Sequence, residues 1–292
     1  MLIELDKAGA EWVITAYASG DARMIQVCEG ADSPHVVTGH LISKAPKELI
    51  EREHKIVGGE SDPDNVEALR KQLPELIGHG YFLPRSMSIR QAGKKSNHGL
   101  NYGMGYRRFA LENEIDESEA KKIVELYTRQ AYPSLPLWWE TIERQLRKDR
   151  TLTNCFGRRC TFYDAWSTEL LNAAYSFIPQ STNADCLIDA TDLIYTSEEA
   201  CLENWELMAN VHDSLLCQWL GSDVMECAQA IDLCANVYMN PVMEYAGREF
   251  RIKTDCKIGL SWDDMRAINI RHRDLDRIAQ DIKRIGEELG AW

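Results

Sequence analysis

The sequence lacks the marks of several protein classes. Its nine cysteines include no CxxC pair, so neither a zinc ribbon nor a disulfide framework is predicted. No apolar run reaches the roughly 18 residues of a membrane span, and the N-terminal MLIELDKAGAEW carries acids where a signal peptide needs bases. Low-complexity stretches and internal repeats are also missing. These absences predict a protein of the reducing cytoplasm that has no membrane partner.

The composition is that of a globular protein with an uneven charge distribution. Of its 292 residues 45% are hydrophobic and 27% charged, which fits one large or two smaller domains. The net charge is -13, yet residues 85–108 hold six Lys or Arg side chains and no acid, and residues 144–159 hold six against Asp149 alone. An acidic body with two basic segments indicates that phosphate is bound at defined places.

Two aspartates are predicted at the ends of strands. Residues 2–5, LIEL, read as a strand that ends at Asp6, and LMANVHDSLLCQWL reads as a hairpin whose polar break contains Asp213. Either aspartate alone would be read as a turn former or helix cap. Together they fit phosphoryl transfer to a hydroxyl, because carboxylates from separate strands can bridge the two divalent ions that this chemistry uses.

The rest of the chain is predicted to be mainly helical. Residues 86–104 read as one helix, and residues 116–150 as a helical pair interrupted near Pro133 and Pro136. Prolines and glycines between charged helical pieces predict that residues 45–80 are a broken insertion lying on the surface. The apolar spacing of the helical tail, residues 263–292, fits packing on its own domain and docking on a partner equally well.

A stripe of four side chains is predicted along the helix of residues 86–104. Arg90, Lys94, His98 and Tyr102 are each four apart, which places them on one helix face. Cations at one end and flat rings at the other can hold a triphosphate and a base. A solvated helix face is the alternative interpretation. Like charges at this spacing weaken an isolated helix, which favours an anionic partner.

Six motifs, taken in chain order, resemble those of the family A DNA polymerases, the DNA polymerase I type of bacteria and phages. They span residues 2–262, and their order makes the resemblance specific. The motifs are DKAGAEW with Asp6 and Glu11, ADSPH with His35, the helix with Arg90, Lys94, Tyr102 and Gly103, FGRR at residues 156–159, the helix around Gln180, and VHDS with Asp213.

The resemblance implies an α+β fold with right-hand polymerase architecture, cytoplasmic in a bacterium or a phage-infected cell. Its palm, an antiparallel sheet with helices, would comprise residues 1–18 and 179–262, and its mostly helical fingers residues 19–178. The family's thumb and exonuclease domains have no counterpart in the sequence. We therefore expect either a natural split polymerase or an expression fragment, with a partner chain supplying the thumb and possibly a 3′–5′ exonuclease.

The resemblance also implies a DNA polymerase that extends a primer on template DNA with dNTPs. Asp6 and Asp213 would hold two Mg²⁺ ions, and Lys94 would protonate the leaving pyrophosphate. The other implied roles fall on nucleotide and DNA contacts. They are triphosphate binding by Arg90, Lys94 and His35, sugar stacking by His98, template-base stacking by Tyr102, exclusion of ribonucleotides by Glu11, and DNA binding by Gln180, His212, Arg158 and Arg159.

Three departures from the family pattern keep other functions open. His98 stands where the family has Phe or Tyr, Ser214 replaces the third carboxylate of an HDE motif, and Ala8 and Gly9 replace its usual SQ. The resulting HDS also resembles the phage-type single-subunit RNA polymerases, but Glu11 opposes that alternative. A polymerase module that only binds DNA or a replication partner is a further alternative, which the retained aspartates, Arg90 and Lys94 oppose.

Overall fold

The computed structural model describes residues 1–30 and 32–290. The strands of this part are β1 (Leu2–Lys7), β2 (Thr151–Thr153), β3 (Arg159–Thr161), β4 (Trp205–Val211), β5 (Ser214–Trp219), β6 (Met243–Tyr245), β7 (Arg248–Phe250), β8 (Thr254–Gly259) and β9 (Arg266–Ile268). Its α-helices are α1 (Ala10–Ser19), α2 (Ala22–Glu29), α3 (Pro34–Ser43), α4 (Lys47–Val57), α5 (Pro63–Arg70), α6 (Ile89–Asn101), α7 (Tyr106–Asn113), α8 (Glu117–Glu125), α9 (Ser134–Asp149), α10 (Thr168–Thr196), α11 (Val224–Leu233) and α12 (Leu275–Leu289). None of these helices is both long and apolar enough to cross a membrane.

The chain divides into two compact units. The first unit comprises residues 1–11, 153–158 and 179–292, and the second comprises residues 12–152 and 159–178. Helix α10 contributes to both, since the division falls between Ile178 and Pro179. The predicted class is confirmed, because an antiparallel sheet lies in the first unit and a largely helical body forms the second.

The sheet of the first unit has β1 at its centre. The strand order is β4-β5-β1-β8-β9, and every neighbouring pair is antiparallel. Along β1 the side chains alternate, so that Ile3, Leu5 and Lys7 are buried while Glu4 and Asp6 lie on a partly exposed face. The predicted strand is therefore real but runs two residues further, and β4 with β5 forms the predicted hairpin.

The C-terminal segment packs on the first unit. Ile278, Ile282 and Ile285 of α12 are at most 1% exposed and belong to the same apolar core as Ile3 and Leu5. The sequence leaves two interpretations open for the apolar residues of this helix. The structure supports the first, in which the helix packs on its own unit. The segment is also not wholly helical, because β9 adds an edge strand to the sheet before Asp274 caps α12.

Helix α6 lies against α3 in the second unit. It begins at Ile89, after Ser88 caps the backbone N–H of Gln91, and it ends at Asn101, so the predicted helix of residues 86–104 is too long at both ends. Gly93 explains how closely α3 and α6 approach. A Cβ at Gly93 would come within 2.1 Å of the His35 carbonyl oxygen and 2.8 Å of the Gly39 nitrogen.

The prediction that residues 45–80 form a surface insertion is wrong. Their apolar side chains form a core with α3 and α6, whose buried members are Val36, Ala45, Leu49, Ile50, Leu73, Leu76 and Ile89. Glu53 and Arg70 form a buried ion pair at 2.7 Å in the same region. Pro46 and Gly58 flank α4 and Pro63 begins α5, and the apolar spacing between these residues is that of packed helices.

The predicted interruption near Pro133 is confirmed, whereas Pro136 does not break a helix. A π-helical segment, Leu126–Ala131, follows α8, and α9 begins at Ser134 immediately after Pro133. Pro136 lies in the first turn of α9, where a missing N–H costs no intrahelical hydrogen bond.

Candidate functional site

The sheet register brings Asp6 and Asp213 to the same end of two adjacent strands. Asp6 of β1 pairs with Ser214 of β5, and the backbone N–H of Lys7 donates to the carbonyl oxygen of Asp213 at 3.0 Å. On its other side Asp6 pairs with Asp255 of β8. Two aspartates that are distant in the sequence therefore belong to one edge of the first unit.

Burial and like charge destabilise the ionised form of Asp6. Burial, followed by the charge of Asp213, raises the pKa of Asp6 to about 6, although Lys257 opposes the shift. Lys257 is held 2.7 Å from Glu4, and Asp255 pairs with Arg271 at 2.6 Å. The site thus keeps a carboxyl group in a partly desolvated position beside a second one, which nothing in folding requires.

The hairpin turn that carries Asp213 contains an unusual backbone conformation. His212 has a φ of 57°, a left-handed conformation that costs a non-glycine residue about 1 kcal/mol. Ser214, only 5% exposed, donates its hydroxyl to the Val211 carbonyl at 3.0 Å and closes this turn. The serine that departs from the HDE pattern therefore has a structural function in the hairpin.

The two carboxylates suit a hard divalent cation that keeps part of its coordination shell free for substrate. Mg²⁺ is usually held by one or two carboxylates together with waters and phosphates, and Asp6 and Asp213 offer such a pair. In residues 1–30 and 32–290 no three or more His, Cys, Asp or Glu side chains form a metal-binding group. The residues therefore fit a Mg²⁺ ion whose coordination is completed by phosphate oxygens. They do not fit a site in which the protein supplies every ligand.

The environment of Asp6 predicts that Asp6→Asn stabilises the metal-free protein. Because the pKa of Asp6 is raised in the folded state, ionising Asp6 lowers the free energy of unfolding. This loss is absent below pH 4 and complete above pH 6. Asn removes it, so we expect the free energy of unfolding at pH 7 to rise by about 1–2 kcal/mol, allowing for partial exposure. Urea unfolding of both proteins from pH 4 to pH 8 measures the difference, and a gain that did not grow with pH would contradict the assignment.

The predicted stripe on α6 is only partly confirmed. Arg90 is half-buried, and Lys94 and His98 are exposed along the side of α6 away from its buried residues. Tyr102, in contrast, follows the end of the helix and is 9% exposed, with its ring edge-on to His98 at 5.8 Å between centroids. The prediction that all four side chains lie on one helix is therefore wrong at Tyr102, because α6 ends at Asn101 and Gly103 turns the chain with a φ of 76°.

His35, at the start of α3, lies in the electrostatic field of this stripe. Burial, followed by the charges of Arg90, Lys94 and His98, lowers the pKa of His35 to about 4. The Asn97 amide donates to its Nδ1 at 3.2 Å, so the neutral ring carries its proton on Nε2. The structure therefore brings His35, Arg90, Lys94 and His98 into one electropositive region of the second unit.

Buried hydrogen bonds that the sequence analysis missed hold the opposite face of α6. Thr38 of α3 donates to the Asn97 side-chain oxygen at 2.6 Å, and the buried Tyr127 hydroxyl donates to that of Asn101 at 2.8 Å. Two asparagines among the small and apolar residues of one helix face are the signal that could have revealed them.

The predicted DNA contacts have different environments. Gln180 on α10 and His212 in the hairpin turn are exposed, as is Arg159 at the start of β3. Arg158, in contrast, binds Asp185 through Nε at 2.9 Å and through Nη2. Glu11 lies partly exposed in the first turn of α1, where a negative charge is favourable.

Comparisons with known proteins identify a family and a solved structure of similar fold. The model of a family described as DNA polymerase family A matches residues 85–264. No curated protein matches the chain. One similar solved structure is the POL domain of Pol1 from M. smegmatis in complex with DNA primer-template and dNTP, with 20% sequence identity and a TM-score of 0.65. The match covers 90% of this chain and 40% of that one.

Proposed function

The chain belongs to DNA polymerase family A, and we propose that it adds dNTPs to a primer 3′ end by two-metal nucleotidyl transfer. The observation that carries this proposal is the adjacency of Asp6 and Asp213, which meet at one end of β1 and β5. Bound Mg²⁺ would lower the pKa of the primer hydroxyl and neutralise charge on the triphosphate. Asp6 and Asp213 would hold the ions. The raised pKa of Asp6 reflects the unfavourable free energy of a partly buried carboxylate beside a second one in the absence of metal.

The electropositive region of the second unit would bind the triphosphate. Arg90 and Lys94 supply charge-assisted donors, and the neutral His35 supplies an Nε2–H. Lys94 is exposed on α6, and its ammonium would give a proton to the pyrophosphate as the bond to the α-phosphate breaks. His98 would stack on the sugar, and Tyr102, packed against His98, would contact the templating base only if their packing changed.

Glu11 is proposed to exclude ribonucleotides by crowding the sugar 2′ position. We expect Glu11→Gly to reduce the preference for dNTPs over NTPs about tenfold, because the clash with the 2′-hydroxyl is lost. Competition between a dNTP and its matching NTP in primer extension measures the preference. Glu11→Gln is the matched control, since it removes the charge but keeps the bulk, and it should preserve the preference. A wild-type enzyme indifferent to the 2′-hydroxyl would refute the assignment.

Primer-template DNA is the proposed macromolecular substrate. Gln180 and His212 are exposed polar side chains that could reach the minor groove of the primer end, where degenerate acceptors permit a check of base-pair geometry. Arg159 would contact phosphate. Arg158 would act mainly through Asp185, fixing the turn before Arg159, because its guanidinium is already engaged there.

A partner chain that supplies a thumb, and possibly a 3′–5′ exonuclease, is part of the proposal. Its support is the edge strand of the sheet in the first unit, together with apolar side chains of that unit that are exposed. Strand β4 is the last strand of the sheet and Met208 on it is 51% exposed, while Ile188 and Tyr195 of α10 are 52% and 83% exposed. Open strand edges with exposed apolar groups are normally covered.

Primer extension tests the proposal. The chain is incubated with primer-template, Mg²⁺ and either dNTPs or NTPs, with and without candidate partner chains. Template-dependent extension by dNTPs supports the proposal, and extension by NTPs alone would support the RNA polymerase alternative. DNA binding without extension under all conditions would support a non-catalytic module.

A further inference from the structure

Helix α4 contacts the start of α6 through two consecutive side chains. The Glu53 carboxylate accepts the backbone N–H of Ile89 at 2.9 Å. The His54 ring lies 2.9 Å from the Ser88 hydroxyl through Nδ1 and 3.2 Å from Nη1 of Arg90 through Nε2. The segment that the sequence analysis assigned to a surface insertion therefore reaches the end of α6 that carries Arg90.

The hydrogen-bonding state of His54 follows from its two partners. A guanidinium can only donate, so Nε2 of His54 accepts from Arg90 and the ring proton is on Nδ1. That Nδ1–H donates to the Ser88 hydroxyl, whose oxygen also accepts the backbone N–H of Gln91 at 3.2 Å. Burial and the charge of Arg90 lower the pKa of His54, which favours the neutral ring.

A buried ion pair, Glu53 with Arg70, holds the backbone around His54 in place. Arg70, 6% exposed, donates from Nε to Glu53 at 2.9 Å and from Nη2 to the Met87 carbonyl at 2.7 Å. It also donates to the Pro84 carbonyl. Glu53 and Arg70 thereby tie α4 and α5 to the chain that leads into α6, so the backbone on both sides of the His54 contact is held in place.

We infer that His54 is a positioning residue that orients the Arg90 guanidinium for triphosphate binding. Capping of α6 does not explain the whole arrangement, because Ser88 and Glu53 already satisfy backbone N–H groups there. Among the described residues, the hydrogen bond of Nε2 is to Arg90. It engages Nη1 and limits the rotation of a long side chain, so less conformational entropy is lost when the remaining donors bind phosphate. This inference rests on the proposed function.

A matched pair of substitutions separates positioning from capping. In His54→Asn the amide occupies the place of Nδ1, so it can bind Ser88 but cannot reach Arg90. In His54→Gln the amide occupies the place of Nε2 and can still accept from Arg90. We expect the Kd for dTTP, measured by calorimetry, to rise about tenfold in His54→Asn and to stay within about twofold of wild type in His54→Gln. In primer extension the same loss should affect KM more than kcat.

Several outcomes would overturn the inference. Equal dTTP affinity in wild type and a folded His54→Asn would refute positioning of Arg90 while leaving the proposed function intact. Loss of affinity in both variants alike would assign His54 to folding alone. A wild-type chain that bound no dTTP would refute the proposed nucleotide site, and the inference with it.

The contact itself can be tested without nucleotide. The pKa of His54, followed by NMR, should rise in Arg90→Met because a neighbouring cation is removed. Lys55→Ala, which removes an exposed cation next to His54 in the chain, is the control and should change it less. An unchanged titration of His54 in Arg90→Met would show that the pair does not form.

Discussion

Asp213→Asn is expected to reduce dNTP incorporation by about 10³-fold or more while leaving primer-template affinity nearly unchanged. The amide keeps the size of the side chain but removes the anionic oxygen that would bind Mg²⁺, so the metal contribution to the transition state is lost. DNA binding is carried by other groups and should persist. Single-turnover primer extension gives the rate, and fluorescence anisotropy with labelled primer-template gives the affinity.

Asp263→Asn provides the control for Asp213→Asn. Asp263 is an exposed aspartate of the first unit in a short 3₁₀ turn, and its substitution changes the net charge by the same amount. We expect it to retain wild-type incorporation. If Asp213→Asn retained it as well, the assignment of Asp213 to the metal site would be wrong, and the adjacency of the two aspartates would have only a structural meaning.

Lys94→Ala is expected to lower kcat by about 10²- to 10³-fold, the usual contribution of a positioned general acid together with the loss of one phosphate contact. Lys94→Arg separates the two effects. The guanidinium keeps the positive charge but does not release its proton near neutral pH, so binding should recover while kcat stays low. Steady-state kinetics across a range of dTTP concentrations measures both parameters.

Lys95→Ala is the matched control for Lys94→Ala. Lys95 is the next residue of α6, is also exposed and carries the same charge, but a rotation of about 100° separates the two side chains. A reduction of kcat by Lys95→Ala as large as that by Lys94→Ala would indicate a general effect of positive charge. Full activity of Lys94→Arg would exclude proton donation by Lys94.

The parts of the fold that could be predicted are those with a local signature. The alternation around Asp6 and around the polar break at Asp213 marks strands, and antiparallel pairing then brings the two ends together. The spacing of its residues predicts the basic helix, although Ser88 and Gly103 set ends that the pattern alone does not define. Family motifs supplied the order of these elements.

The parts that could not be predicted depend on contacts between distant residues. Nothing local indicates that Glu53 is paired with Arg70, or that His54 meets Arg90, because the first pair forms where α4 packs on α5 and the second where α4 packs on α6. The resemblance implies that Arg158 contacts DNA, yet its guanidinium forms an ion pair with Asp185. Charged residues in a broken helical segment resemble a solvated surface until the partner that buries them is known.

The glycine contact between α3 and α6 couples these two helices of the second unit. No side chain separates the two helices at Gly39 and Gly93, and the hydrogen bond from Thr38 to Asn97 locks them in register. We therefore expect any displacement of α6 to carry α3 with it. His35 would then keep its position relative to Arg90 and Lys94, so the groups proposed to bind the triphosphate would move together.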